Sequence, residues 1–381
     1  MQAAEASAAA AEASAAAVED NLDLLGDPLL YDSTKLRSWR VALGKRANTP
    51  VDILVLGDSL IEGQGASAAA NRFHDRLLAR LRTEYQPAGV TGGEGYVPAA
   101  YIATGVTDRW TFTGTTAVRE DLGGLGERTV TLAVSATASL TFTGTALKVM
   151  YAKGPTAGTF SWAIDGGAAT NVIANNATIS GGNVVDITGL SDASHTVVVT
   201  GLSNTTYLEG AMVLRGDSTS GMRIWGAGHS GWQSDDHANV GVVSAMDSVA
   251  AVQPDLVLVH LGLNDYGSQS QTRIAPAAMA TNFDTIAANI RAVCTIAPSF
   301  VWLIPYERTV VPTVLATWEE YRQAYKDFAA NDGQIGLVDI GAAIGSFAGS
   351  TDPYGIDAGD FVHPNDAGHQ VMADAVFRVI R

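Results

Sequence analysis

Ser59 follows an apolar run, Ile53 to Leu56, that stops abruptly at Gly57-Asp58. The run reads as a buried strand delivering a hydroxyl at its C-terminal end, where ligands collect in open α/β sheets. A serine hydroxyl is a weak nucleophile until a base takes its proton and a third group orients that base. An attacked carbonyl also needs hydrogen-bond donors where its oxyanion forms. The base candidate is His363, with Asp360 three residues before it and Asp357 as a rival acid. An Asp-x-x-His taken alone fits an ordinary surface loop better than a catalytic pair. Donor candidates are the Asn264 side chain in Leu261-Gly-Leu-Asn-Asp265 and the Gly231 N–H in Ala227-Gly-His-Ser-Gly-Trp-Gln-Ser234. Gly226 and Gly228 stand near Gly231, and each donor also has a bland reading as a turn residue. Asp58 and Asp265 read as loop braces, and His369 as a structural residue of the last helix.

These residues need a frame that brings strand ends together. Further strands are expected at 222–226, 255–261, 300–305 and 336–340, and helices at about 71–85, 240–251, 279–294, 315–330 and 365–380. Strands alternating with helices imply a mainly parallel sheet covered on both faces. From about 105 to 220 the texture changes to short Thr/Val-rich alternating runs such as Leu140-Thr-Phe-Thr, punctuated by turns such as Asp165-Gly-Gly167. That pattern predicts an antiparallel sandwich inserted into the first domain. The expected division is 1–20 an Ala-rich helical stalk, 21–48 a connector, 49–104 and 221–381 the α/β domain, and 105–220 the insertion. Leu24, Leu25, Leu29, Leu30, Leu36, Trp39 and Leu43 give the connector apolar surface to pack with.

Gly57-Asp-Ser-Leu60, the glycine of Ser230-Gly231, Gly262-Leu-Asn-Asp265 and Asp360-Phe-Val-His-Pro-Asn365, in that order, resemble the four motif blocks of the SGNH (GDSL-type) hydrolases. The resemblance covers about 50–104 and 221–381. It implies a flavodoxin-like three-layer α/β/α fold and ester hydrolysis through an acyl-enzyme. By position, Ser59 would be the nucleophile, His363 the base and Asp360 its orienting acid. The Ser59 N–H, the Gly231 N–H and the Asn264 amide would form the oxyanion hole. The arrangement is similar to that of the peptidoglycan and polysaccharide O-acetylesterases of this family, which implies an acetylated glycan as substrate. A broad small-ester or lipid esterase and a non-catalytic glycan-binding surface protein are the alternatives. Trp110, Tyr151, Trp162 and Tyr207 in the insertion are candidate sugar platforms, with a core role as the alternative. As a separate module, the insertion is expected to be dispensable for small esters: deleting about 106–216 should spare them and impair action on polymer.

Bulk properties narrow the partners. The formal charge of −16 and pI near 4.7 repel phosphate backbones and anionic membranes, so no nucleic acid and no membrane insertion are expected. Neither a His-Glu-x-x-His nor a Gly-x-x-x-x-Gly-Lys-Ser/Thr motif occurs, and no metal or cofactor is expected. His229 and His237 flank the Gly231 loop and read as substrate contacts or solvated side chains. Cys294 is the single cysteine and reads as a buried, inert thiol. Residues 4–17 repeat Ala-Glu-Ala-Ser-Ala-Ala-Ala twice, without the charge and apolar pattern of a secretory signal. The seven-residue period suggests a coiled coil and a homo-oligomer, a trimer among the options; a frayed low-complexity tail is the other reading. The repeat is similar to helical stalks of bacteriophage tail proteins, which implies a virion-associated location; a free extracellular esterase fits as well.

Overall fold

The computed structural model describes residues 33–120, 122–239, 243–268, 271–308 and 314–381. The Ala-rich repeat, with the coiled coil and oligomer read from it, lies outside the described residues.

Five parallel strands form the central sheet, in the spatial order Gly221–Gly228, Pro50–Gly57, Leu256–His260, Ser299–Ile304, Ile335–Asp339. Counted along the chain this is the flavodoxin-like order 2-1-3-4-5, whose switch point lies at the first strand, the one ending in Gly57. Side chains alternate across the sheet. Ile53 and Val55 face a core shared with the helices Arg37–Lys45, Phe73–Tyr85 and Asp366–Ile380. Leu54 and Leu56 face the opposite core, shared with Val243–Val252, Pro276–Val293 and Trp318–Asn331. The fold is thus three-layered α/β/α, as expected. The connector contributes more than apolar contact. Leu36 and Trp39 are fully buried, and the Trp39 indole N–H donates to the Ile380 carbonyl at 2.6 Å, tying this helix to the last one.

Two antiparallel sheets separate the first parallel strand from the second. The inner sheet runs Ser180–Ile187, Ala146–Lys153, Thr206–Leu214, Thr129–Leu132, Thr116–Arg119. The outer runs Trp110–Thr113, Thr137–Gly144, Ala193–Gly201, Thr159–Ile164, Thr170–Ile173. They enclose a core of their own that includes Leu140, Val149, Phe160, Val199 and Leu208. Trp110, Tyr151 and Tyr207 are buried in it and Trp162 packs against it, so these aromatic rings fill the sandwich rather than offering sugar platforms.

The inner sheet has a second buried face, which corrects the picture of a detachable module. Met150, Met212, Leu214 and Ala146 join Trp225, Val249 and Leu56 in the α/β core. The strand Gly95–Pro98, upstream of the expected boundary at 105, pairs with Thr206–Leu214. The buried Glu209 carboxylate accepts from Gly182 N at 3.0 Å and from Ser248 Oγ at 2.8 Å, stitching the sheet to helix Val243–Val252. Alternation hides this double burial: Thr206–Leu214 is buried at every position, whereas a strand with one solvated face shows every second residue outside.

Candidate active site

Ser59 opens a one-turn helix, Ser59–Glu62, at the end of the first parallel strand. Asp58 caps it, its Oδ1 accepting from Leu60 N at 3.0 Å, and Gly63 closes it with φ +101°. The turn is tight enough that a Cβ on Gly57 would meet the Ile61 side chain at 2.4 Å and the His260 carbonyl at 2.6 Å. Only glycine fits there, which explains the abrupt end of the apolar run.

The Ser59 hydroxyl lies 2.8 Å from His363 Nε2, and His363 Nδ1 lies 2.6 Å from Asp360 Oδ2. With Nδ1–H donating to the carboxylate, Nε2 presents its lone pair to the serine O–H. Asp360 is fixed by its own loop, its Oδ1 accepting from Val362 N at 2.9 Å and His363 N at 2.8 Å. Burial pushes the Asp360 carboxyl up, but the hydrogen bonds from the His363 ring and backbone outweigh it and hold the group well below the usual carboxylate range. Asp357 does not touch the ring; it accepts from Gly359 N and Phe361 N and shapes the loop. The Tyr306 hydroxyl, donating to the Val362 carbonyl at 2.5 Å, holds the loop from the fourth strand's end.

The donor loops are tied to one another. Asn264 Nδ2 donates to the Trp232 carbonyl at 3.0 Å, which leaves its second N–H available. Arg308, 8% exposed, donates to Asn264 Oδ1 at 3.3 Å and so sets which way the amide faces. Asp265 accepts from Ser234 N at 3.1 Å and from its hydroxyl, bracing the same pair of loops. Gly231 has φ +84° and open space where a Cβ would be. Neither the Gly231 N–H nor the Ser59 N–H donates to an acceptor among the described residues; at Ser59 this is the orphan donor of a helix N-terminus.

His229, His237 and His369 are packing residues, which corrects the reading of His229 and His237 as substrate contacts or solvated groups. His229, 1% exposed, donates from Nδ1 to the Gly126 carbonyl at 2.6 Å and stacks on Trp232. His237, 3% exposed, donates from Nε2 to the Gly57 carbonyl at 3.0 Å. His369 donates to the Gln64 carbonyl at 3.1 Å from inside the last helix. Burial lowers the pKa of all three. Cys294 is half-buried at the end of its helix rather than fully enclosed, and burial pushes its thiol up to about 11.

Residues 201–371 match the model of the GDSL-like lipase/acylhydrolase family. Within that span the α/β domain is similar to the GDSL-like acylhydrolases. The match contains Gly231, Asn264, Asp360 and His363 and begins at Gly201, the end of the outer-sheet strand Ala193–Gly201; Ser59 lies upstream of it. A solved peptidoglycan O-acetylesterase shares the fold of this chain, with TM-score 0.67 and 17% identity over 90% of this chain and 94% of its own. A family 2 carbohydrate esterase with a carbohydrate-binding domain, from Corynascus thermopiles (Myceliophthora fergusii), aligns at 15% identity over 70% of this chain and 98% of its own, TM-score 0.34. An acetylxylan esterase from Geobacillus stearothermophilus aligns at 23% identity over 42% and 73%, TM-score 0.34. No curated protein sequence matches the chain.

Three residues beside the site escaped the sequence reading: Arg308, and Glu62 and Arg128, which pair with each other at 2.7 Å. Glu62 and Arg128 sit in an apolar turn and a Gly-rich loop, and nothing in their spacing marks them as partners. Arg308 follows the strand Ser299–Ile304, and a search of every strand end for polar residues would have found it.

Proposed function

We propose that this protein is an SGNH-type esterase that removes O-acetyl groups from a cell-surface polysaccharide or peptidoglycan through a Ser59 acyl-enzyme. The observation that carries the proposal is the unbroken chain from Ser59 Oγ through His363 to Asp360, at 2.8 Å and 2.6 Å. In the first half-reaction Ser59 Oγ bonds to the ester carbonyl carbon and its proton passes to His363 Nε2. The tetrahedral oxyanion receives hydrogen bonds from the Ser59 N–H, the Gly231 N–H and the free N–H of Asn264 Nδ2. Its collapse breaks the bond to the sugar oxygen, which leaves with the proton from Nε2. Water then repeats the sequence on the acyl-enzyme and releases acetate. Asp360 holds the ring tautomer and stabilises the imidazolium without taking its proton.

The choice of glycan rests on likeness of fold. The peptidoglycan O-acetylesterase matches this chain through the insertion as well as the α/β domain, and the polar surface of the insertion is unlike the greasy lid of a lipase. The test is acetate release from a panel of O-acetylated polysaccharides and peptidoglycan, beside esters of increasing acyl length. Release from at least one glycan, with activity falling from acetyl to longer acyl esters, is expected. A preference for long acyl chains with no release from any glycan would reject the proposal.

The same mechanism sets an expectation for Asn264. Asn264→Ala removes one oxyanion donor and should lower kcat by roughly 10²–10³-fold with KM little changed. Steady-state kinetics on a small acetyl ester reads this directly, and a rise in KM with kcat unchanged would assign Asn264 to substrate binding instead.

A further inference from the structure

We infer that Arg128, supplied by the inserted β segment, is a positioning residue that holds the oxyanion loop in place through the buried carboxylate of Glu62. The inference rests on the reading of Ser59 and Gly231 as nucleophile and oxyanion donor.

Glu62 ends the one-turn helix that begins at Ser59 and is 1% exposed. Its carboxylate takes four hydrogen bonds. Oε1 accepts from Arg128 Nη1 at 2.7 Å and from Ile102 N at 3.0 Å. Oε2 accepts from Ala103 N at 2.6 Å and from Ser230 N at 3.1 Å. One side chain thus joins the nucleophile turn, the 101–103 segment, the insertion and the residue preceding Gly231. Arg128, also 1% exposed, neutralises the carboxylate, donates to the Gly226 carbonyl at 3.3 Å and lies over the Tyr101 ring at 5.6 Å.

The neighbouring His229 and Trp232 rings stack, but Gly231 itself is held only through the backbone of its loop. A Cβ at Gly231 would touch nothing within 4 Å, so side-chain packing does not fix that backbone. Hydrogen bonds do: His229 N to the Gly57 carbonyl at 2.9 Å, His229 Nδ1 to the Gly126 carbonyl, Ser230 N to Glu62, and Asn264 to the Trp232 carbonyl. Two of these four lead to the 126–128 turn of the insertion, one directly and one through Glu62. Without Arg128 a buried carboxylate would be left uncompensated and would turn toward water, taking its acceptor away from Ser230 N. The Gly231 N–H would then lose its aim, and oxyanion stabilisation depends steeply on that aim.

The test uses the full chain and steady-state hydrolysis of p-nitrophenyl acetate, at a temperature well below the melting transition of each variant. Arg128→Met keeps the apolar stem without the charge and should lower kcat by about 10- to 100-fold, with KM within about twofold. Arg128→Lys, which restores the charge, should recover part of the loss. The pair Glu62→Gln with Arg128→Met removes both charges together. It should recover melting temperature while kcat stays low, because one amide oxygen cannot replace four acceptor sites. A purely structural role would lower the melting temperature and leave kcat unchanged. Parent-like kcat in either folded Met-containing variant therefore overturns the inference. Ser59→Ala, run alongside, separates the two claims. An inactive Ser59→Ala beside a fully active Arg128→Met rejects the inference alone, whereas an active Ser59→Ala rejects the nucleophile reading and the inference with it.

Discussion

Ser59→Ala is expected to lower kcat for a small acetyl ester by roughly 10⁴-fold or more while leaving the fold intact. The hydroxyl makes one side-chain hydrogen bond, to His363. The turn that holds it is capped by Asp58 and closed by Gly63, neither of which needs the hydroxyl. The melting temperature should therefore stay close to the parent's. His363→Ala should lose a similar amount, and the double variant little more, because the two groups act as one unit. Ester hydrolysis with purified Ser59→Ala is the deciding measurement: turnover near the parent's would remove the acyl-enzyme mechanism at its first step.

The second large effect concerns the insertion. Deleting residues 106–216 should yield no folded enzyme, so hydrolysis of small esters and of polymer should disappear together. This reverses the expectation drawn from sequence texture alone. The deletion strips Met150, Met212 and Leu214 from a core that also holds Trp225, Val249 and Leu56. Fully burying one such side chain contributes about 1.5–3 kcal/mol. It also removes Arg128 from Glu62, and breaking a buried ion pair costs about 3–5 kcal/mol. Together these losses match the total stability of a typical domain, about 5–15 kcal/mol. Size-exclusion chromatography and circular dichroism, read with esterase activity, check the outcome. A monomeric, helical and active deletion variant would show that the inner sheet is a passenger.

The parallel sheet, its flanking helices and the placement of Ser59, Asn264, Asp360 and His363 at strand ends and in one loop were legible because each leaves a local signal. Ile53 to Leu56 is a continuous apolar run cut off by glycine, and Phe73, Leu77, Leu78 and Leu81 mark one helix face. What was not legible is how the two bodies meet. Thr206–Leu214 reads as an ordinary strand, and only the folded chain reveals that both its faces are covered. His229 and His237 looked polar and available, yet their ring nitrogens are spent on the Gly126 and Gly57 carbonyls. The Glu62–Arg128 pair joins residues far apart in the chain through a contact that periodicity cannot express.

The central strand has a further consequence for how the molecule assembles. Residue 50 pairs with residue 221, so the middle of the parallel sheet closes only after a very long stretch of chain has been gathered in. An unstructured connection of that length carries a heavy closure entropy and a high contact order, both of which slow folding. The inserted strands shorten the route. Thr137–Gly144 and Ala146–Lys153 follow one another almost directly, and the strand pairs of both sheets form from nearer segments. Once built, the sandwich is a rigid splint that returns the chain from residue 95 to residue 214, beside the place where it left, because those two strands are paired. The inserted strands that delay the meeting of Ser59 and His363 also shorten the search that brings them together.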